Sequence, residues 1–335
     1  MFIYNFSGSI QMVKDVLIIG AGISGLIAGR KLQERGMTVQ LLEKSRGPGG
    51  RMSTRWMEDG KIDHGAQFFS ARTSSFQEVV DEWVSLGVAK CWFGEGVRKD
   101  GGGRSYCGVP YMNAIPRLLA QELDIKTHWT AERLVFQEGV WHVSSKEGEI
   151  VKGRSLLITS PVPQTLAILE RSSLSLSHED EVLLSSIKYG SCFAVFGWLD
   201  KAPAIPAPGL LEQPNEDIAR IIDNVQKGIT TRPSVTIHAS ASFTSRHLDE
   251  ERVVVGERLL EAAAEYLSSM DRETMRVHRW LYSRPKQTVD GDGFLQLKGS
   301  GPLYVAGDGF ASPTVEGAVL SGLSVADVIY ADTQD

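Results

Sequence analysis

The 335-residue chain has few cysteines and no long apolar run, and each absence narrows what it can be. Its three cysteines, Cys91, Cys107 and Cys192, are odd in number and form no Cys-x-x-Cys pair. Neither a disulfide framework nor a zinc knuckle is indicated, no metal is expected, and a reducing cytoplasm fits best. No apolar stretch is long enough to cross a bilayer, so stable membrane insertion is not expected. The opening dozen residues, MFIYNFSGSIQM, lack a basic start and a continuous apolar core, which argues against a secretory signal and leaves Met12 as an alternative start to Met1. Basic residues never exceed two in succession and the net charge is -6, so no electrostatic footprint for nucleic acid is present. No internal repeat or low-complexity tract stands out.

What is present begins at Val16. The run VLIIGAGISGLIAG ends a strand-like apolar segment on Gly20, Gly22 and Gly25, spaced G-x-G-x-x-G, and opens a helix. A second strand, TVQLLEK, follows and ends on Glu43, 18 residues beyond Gly25, about the span after which a carboxylate meets ribose hydroxyls. Strand, glycine turn, helix and carboxylate together predict a dinucleotide seat, where the glycine motif alone would be weak. The loop SRGPGGRMS then places Arg46 and Arg51 among glycines, where amides and a guanidinium can reach back onto a pyrophosphate.

Further along, 189–200 and 235–243 alternate like strands with one covered face, the proline-rich KAPAIPAPG between them reads as a hairpin excursion, and ERVVVGERLLEAAAEYLSSM reads as a helix. Phe76, Val79, Val80 and Trp83 lie at helical spacing and are assigned to the core. The chain closes with a strand, a turn holding Asp308, and a long helix starting near Val315 or Glu316, a second natural anion seat.

GAGISGL, EKSRGPGGRMS, DHGAQFF and LYVAGDG...VEGAVLSG together resemble two-dinucleotide-binding-domain flavoproteins of the flavin amine oxidase superfamily, and HRWLYSRP narrows the resemblance to the renalase group. The resemblance implies an α/β fold, an FAD-binding Rossmann-like domain (13–75, 125–165 and 295–332) with an interleaved mixed α+β substrate domain (76–124 and 166–294). It implies that Gly20, Gly22, Ile23, Ser24 and Gly25 hold the FAD pyrophosphate, Glu43 and Lys44 the adenosine ribose, and Gly50, Arg51 and Met52 the phosphates beside the flavin. Asp63 to Phe68, with Gly65, Ala66 and Gln67, would lie along the isoalloxazine. Ala131 would give backbone contacts to adenine, and Gly307 with Asp308 would bind a ribityl or phosphate-linked hydroxyl. Val315, Glu316, Gly317 and Ala318 would present helix amides to the flavin. One departure stands out: flavin amine oxidases carry a lysine on a substrate-domain strand, and the matching place here is Ala194.

The same resemblance implies that FAD removes a hydride from 2- and 6-dihydro isomers of NAD(P)H, a dinucleotide substrate, returning NAD(P)+ while oxygen becomes hydrogen peroxide. No general base is required, because the cofactor performs the hard step. Candidates for the substrate side are Trp280 and Tyr282, then Arg279, His238 and Gln67; alternation along a strand keeps Arg279 and Tyr282 on opposite faces unless a bulge intervenes. With no cysteine near the C-terminus, FAD is expected to be held noncovalently. The rival readings are an amine oxidase or desaturase-type enzyme and a flavin-binding module without turnover.

Overall fold

The computed structural model describes residues 12–98, 103–299 and 301–334; the Met1 start lies outside them. The apolar runs at the two ends of the chain meet in one sheet, in the order Phe294–Leu297, Leu303–Ala306, Ile150–Ile158, Lys14–Ile19, Val39–Leu42 and Asp124–Lys126. All neighbours from Leu303–Ala306 onward pair in parallel, as their nearly continuous burial requires. A hairpin, Ala131–Gln137 with Val140–Ser145, extends it from Ile150–Ile158.

The helix Ile23–Glu34 follows the glycine turn, and the C-terminal helix Val315–Asp332 packs against it. Their closeness depends on Gly322, where a Cβ would stand 2.5 Å from the Ser24 carbonyl oxygen. Gly25 serves packing in the same way, since a Cβ there would overlap the Gly20 carbonyl oxygen. Segment 76–124, expected with the substrate domain, contributes Phe76, Val80, Trp83 and Ile115 to the core that holds Leu26 and Val319.

A second, antiparallel sheet runs Leu210–Glu212, Ile218–Asp223, Ser234–Ala239, Tyr189–Trp198, Arg276–Pro285. Its alternation sorts two faces. Phe193, Val195, Ile237 and Val277 join the core that includes Phe243, Val255 and Leu259 from the helices Ala241–Arg246 and Arg252–Ala262. Phe196 and Trp198 meet Ile62 on the Thr54–Met57/Gly60–Asp63 hairpin. The helix expected over 251–270 ends at Ala262, and the proline-rich excursion leads into the Leu210–Glu212 strand, which the sequence reading did not anticipate.

The Gly60–Asp63 hairpin is tied to the turn that follows Ile218–Asp223 by a buried ion pair. Lys227, at the end of the Asn224–Lys227 turn, donates from Nζ to Asp63 Oδ2 and to Gln67 Oε1, each at 3.0 Å. Asp63 also accepts from Thr54 Oγ1 at 2.6 Å and from the Met112 amide at 3.1 Å. Both charged side chains are 0 % exposed. Breaking such a pair leaves an uncompensated buried charge, so Lys227→Met is expected to destabilise the fold by about 3–5 kcal/mol. Adding Asp63→Asn should recover part of the loss. Urea unfolding of the two variants checks this, and a Lys227→Met midpoint equal to wild type would remove the pair from its assigned role.

Candidate functional site

A cavity of about 1630 Å3 runs from Glu43 and Ala131 past the glycine turn to Trp280 and Tyr282 on the second sheet. One small ligand ordinarily occupies roughly 300–1,000 Å3. There is room for a long cofactor and a substrate together.

The glycine turn is built for close approach. Gly20, at φ +108°, takes a conformation side chains disfavour, and its amide donates to the Leu42 carbonyl. A Cβ on Gly22 would meet nothing within 4 Å, so its backbone faces open space. Ser24 Oγ is buried with no hydrogen-bond partner among the described residues. Glu43 accepts from the Ala21 amide at 2.9 Å and the Ser45 amide at 2.7 Å, which fixes its carboxylate at the strand end. Lys44 donates to Gln164 across the rim. The 46–52 loop does fold back on the turn, with the Gly49 amide donating to the Ala21 carbonyl. Open backbone, an orphaned hydroxyl and an elongated cavity fit a dinucleotide cofactor of FAD's length.

Arg51 and Asp308 stand on the cavity, but they bind each other. Nη1 and Nη2 of Arg51 reach the two carboxylate oxygens at 2.6 and 2.7 Å, a bidentate clasp between the two ends of the chain. Burial works against the Arg51 charge, yet Asp308 outweighs it and holds the guanidinium above its ordinary pKa. Tyr189 donates to Asp308 at 3.4 Å, and burial, then that carboxylate, push the phenol well above its usual range. The two residues therefore present a neutral pair in place of a free cation and a free acceptor.

Other expected residues divide. Gly50, Met52, Gly65, Ala66, Phe68, Ala131, Gly307, Val315, Glu316 and Ala318 line the cavity; Gly25 and Gly317 do not. Thr314 Oγ1 accepts from the Gly317 amide at 3.0 Å as the helix cap, and the Ala318 amide donates to the Thr314 carbonyl, so those two amides are already satisfied. The Glu316 carboxylate turns to Thr73, accepting from its amide and hydroxyl at 2.8 Å. Gln67 lies on the wall, but its amide is spent: Nε2 donates to the Asp63 and Gly65 carbonyls, and Oε1 accepts from Lys227.

On the second sheet, register decides which candidates face the cavity. Cys192 opposes Trp280, Ala194 opposes both His238 and His278, and all five share the face away from Phe193. Arg279 opposes Phe193 and donates to the Leu248 carbonyl at 2.7 Å, which commits part of its guanidinium, while it still borders the cavity. Between Trp280 and Arg284 the pairing shifts, so the strand bulges through 281–283. Tyr282, on that bulge, meets the Tyr189 ring edge-on at 6.0 Å and lines the cavity.

His64, within DHGAQFF, has no role of its own in the sequence beyond its place in the Asp63–Phe68 stretch. Its ring stacks on Trp280 at 5.3 Å and meets His278 edge-on at 4.9 Å, while Trp280 Nε1 donates to its carbonyl. Burial first, then neighbouring His278 and Arg55, lowers His64 to a pKa of about 3. Burial and Arg220 lower His238 to about 3, and burial, Arg252 and Arg55 lower His278 to about 4. The three imidazoles are neutral through the physiological range. Burial pushes the Cys192 thiol up to about 12, so it is no nucleophile.

Comparison with known proteins places these features. A family model described as flavin containing amine oxidoreductase matches residues 74–330, and one described as NAD(P)-binding Rossmann-like domain matches 18–83. Mouse renalase is 23 % identical over 94 % of this chain and 98 % of its own length. A putative protoporphyrinogen oxidase from Exiguobacterium sp. 255-15 superposes with a TM-score of 0.75 at 12 % identity, covering 96 % of this chain and all of its own. Cyclohexylamine oxidase from Brevibacterium oxydans IH-35A superposes with a TM-score of 0.73 at 14 % identity, covering 97 % and 100 %. No helix among the described residues is long and apolar enough to cross a membrane.

The lowered histidines carry a sign. An unfolded chain binds protons on these imidazoles below about pH 6.5 while the folded chain refuses them until about 3 or 4, so stability is complete above 6.5 and falls on acidification. The slope is about 1.4 kcal/mol per pH unit for each imidazole involved. Urea unfolding between pH 7 and 5 should show this loss, and His278→Asn should flatten it. A pH-independent midpoint across that window would contradict the neutral cluster.

Proposed function

The chain belongs to the flavin-containing amine oxidoreductase family, with FAD as its cofactor, and we propose that it oxidises the 2- and 6-dihydro isomers of NAD(P)H to NAD(P)+ at the expense of oxygen. Bound FAD would supply the acceptor for the hydride and the route of both electrons to oxygen. Each turnover consumes one dihydronicotinamide, one oxygen molecule and one proton, and yields NAD(P)+ and hydrogen peroxide.

The observation that supports this reading best is the chemistry of the Ala194 wall. Ala194, His238 and His278 sit side by side there, and imidazoles with pKa values near 3 and 4 are too weak as bases to keep a proton at neutral pH. An amine enters from water as an ammonium ion and must lose a proton before it can give up a hydride. A dihydronicotinamide has no such proton to lose, and its ring becomes aromatic as the hydride leaves. The chain's part is then to orient and to exclude water. Trp280, fixed by its bond to the His64 carbonyl, offers a flat apolar surface for a planar ring, and the His64–Phe68 backbone is held rigid beneath by Asp63 and Lys227. The near full-length similarity to mouse renalase adds support.

Anaerobic stopped-flow mixing tests the reading. Borohydride-generated NAD(P)H isomers should bleach the flavin, with a rate constant unchanged between about pH 6 and pH 9 because no wall histidine titrates there. Admitting oxygen should restore the colour with one peroxide per dihydronicotinamide. Bleaching by amines or by carotenoid precursors, with none by the isomers, would refute it, and a flavin that no donor reduces would point to a binding module. A second expectation concerns the cofactor's attachment: heat denaturation followed by filtration should release all the yellow colour, and retained colour would indicate a covalent link.

A further inference from the structure

Arg220 stands on the Ile218–Asp223 strand directly opposite His238, which places its side chain on the cavity face of the sheet. It is an expensive residue there. Its Nε is fully buried without a hydrogen-bond partner, and no side-chain hydrogen bond or ion pair reaches it among the described residues. Buried charges are ordinarily paired. Glu212, opposite in register on the neighbouring strand, offsets its burial only through space, while Arg98 and Arg284 act against it.

The surroundings gather cations. The Arg220 guanidinium lies 5.3 Å from the centre of the Phe68 ring, and that of Arg98 lies 5.3 Å from the same ring. Arg98 donates to Ser70 Oγ from Nη1, and Arg284 lines the same stretch of cavity. A ring face attracts each cation by about 0.5–2 kcal/mol, while Arg98 and Arg284 both act against the Arg220 charge. Phe68 belongs to the segment that also presents Gly65 and Ala66 to the cavity, so this concentration of positive charge sits at the substrate end, apart from the Arg51–Asp308 clasp.

We propose that Arg220 is the seat of an anionic group on the substrate, a phosphate or a carboxylate held by its unpartnered Nε edge, with Arg98 and Arg284 supplying the surrounding charge. Guanidinium edges suit both oxyanions because two parallel donors meet two oxygens. The inference deepens the proposed function and rests on it for the ligand's identity as substrate: there the anion is the pyrophosphate of the dinucleotide, and the neutral wall of His238, His278 and Trp280 receives the ring.

The test uses the FAD-loaded protein, so that the cofactor's own phosphates fill their seat. Inorganic pyrophosphate and, separately, acetate are titrated while the visible difference spectrum of the flavin is followed. A saturable response is expected in the wild type, weakened about ten- to a hundredfold in Arg220→Gln and less in Arg220→Lys, with flavin content and urea midpoint unchanged. Tighter acetate than pyrophosphate would assign the seat to a carboxylate, whereas no saturable response to either anion in the wild type would overturn it, whatever the variants do. Should Arg220→Gln fail to load FAD, Arg98→Gln must weaken pyrophosphate instead, and an unchanged affinity there would overturn the seat. Dihydro-NAD isomers that reduce Arg220→Gln with wild-type affinity would sink the anion seat and leave the proposed reaction standing. Pyrophosphate bound through Arg220 in a protein whose flavin no dihydronicotinamide reduces would do the reverse.

Discussion

Asp63 has no access to water, and much of the site's geometry follows from that. A buried carboxylate needs donors, and three separate segments supply them: Thr54 from the partner strand of its hairpin, Met112 through its amide, and Lys227 from the Asn224–Lys227 turn. Its carbonyl meanwhile accepts from Gln67 Nε2 and Thr236 Oγ1. The following loop is thereby hung from fixed points, and the Ala66 amide anchors it further by donating to the Arg51 carbonyl. A buried ion pair adds little net stability over an apolar replacement, so its effect is better understood as fixing which conformation the loop adopts.

Through that loop the constraint reaches the opposite wall. The His64 carbonyl receives Trp280 Nε1 at 3.0 Å and lies 3.3 Å from His238 Nε2, so two residues of the second sheet are aligned by one peptide of the loop after Gly60–Asp63. The three imidazoles can remain uncharged because they exclude water and face Arg55, Arg252 and Arg220 in place of carboxylates. The wall is accordingly neutral where Ala194 sits and cationic where Arg220, Arg98 and Arg284 gather. A substrate with an uncharged reacting ring and an anionic tail matches that gradient.

Short-range features were legible in the sequence because their rules are local. The glycine spacing, the carboxylate at Glu43, the start of the last helix at Val315 and the alternation of 189–198 each depend on residues within one or two elements. The Asp63–Lys227 pair joins residues 164 apart through a turn whose sequence carries no signature, so nothing local could announce it. Leu210–Glu212 is three residues long, too short for a period to show. The bulge at 281–283 was foreseen only as a possibility, because nothing in WLYSR marks where pairing slips. His64 was within reach: its motif had been singled out, and only its stacking partner was missing.

The motif predicts the kind of side chain at the cavity but not whether that side chain is still free. Arg51 and Arg220 are both arginines on the same cavity, and their sequence contexts gave the first a role and the second none. In the folded chain Arg51 is satisfied by two carboxylate oxygens of Asp308, while Arg220 keeps an unmet donor. Since a cation already paired in bidentate fashion must lose that pair to take a new anion, and an unpaired one loses nothing, the energetic preference for anion binding runs opposite to the order in which the sequence ranks them.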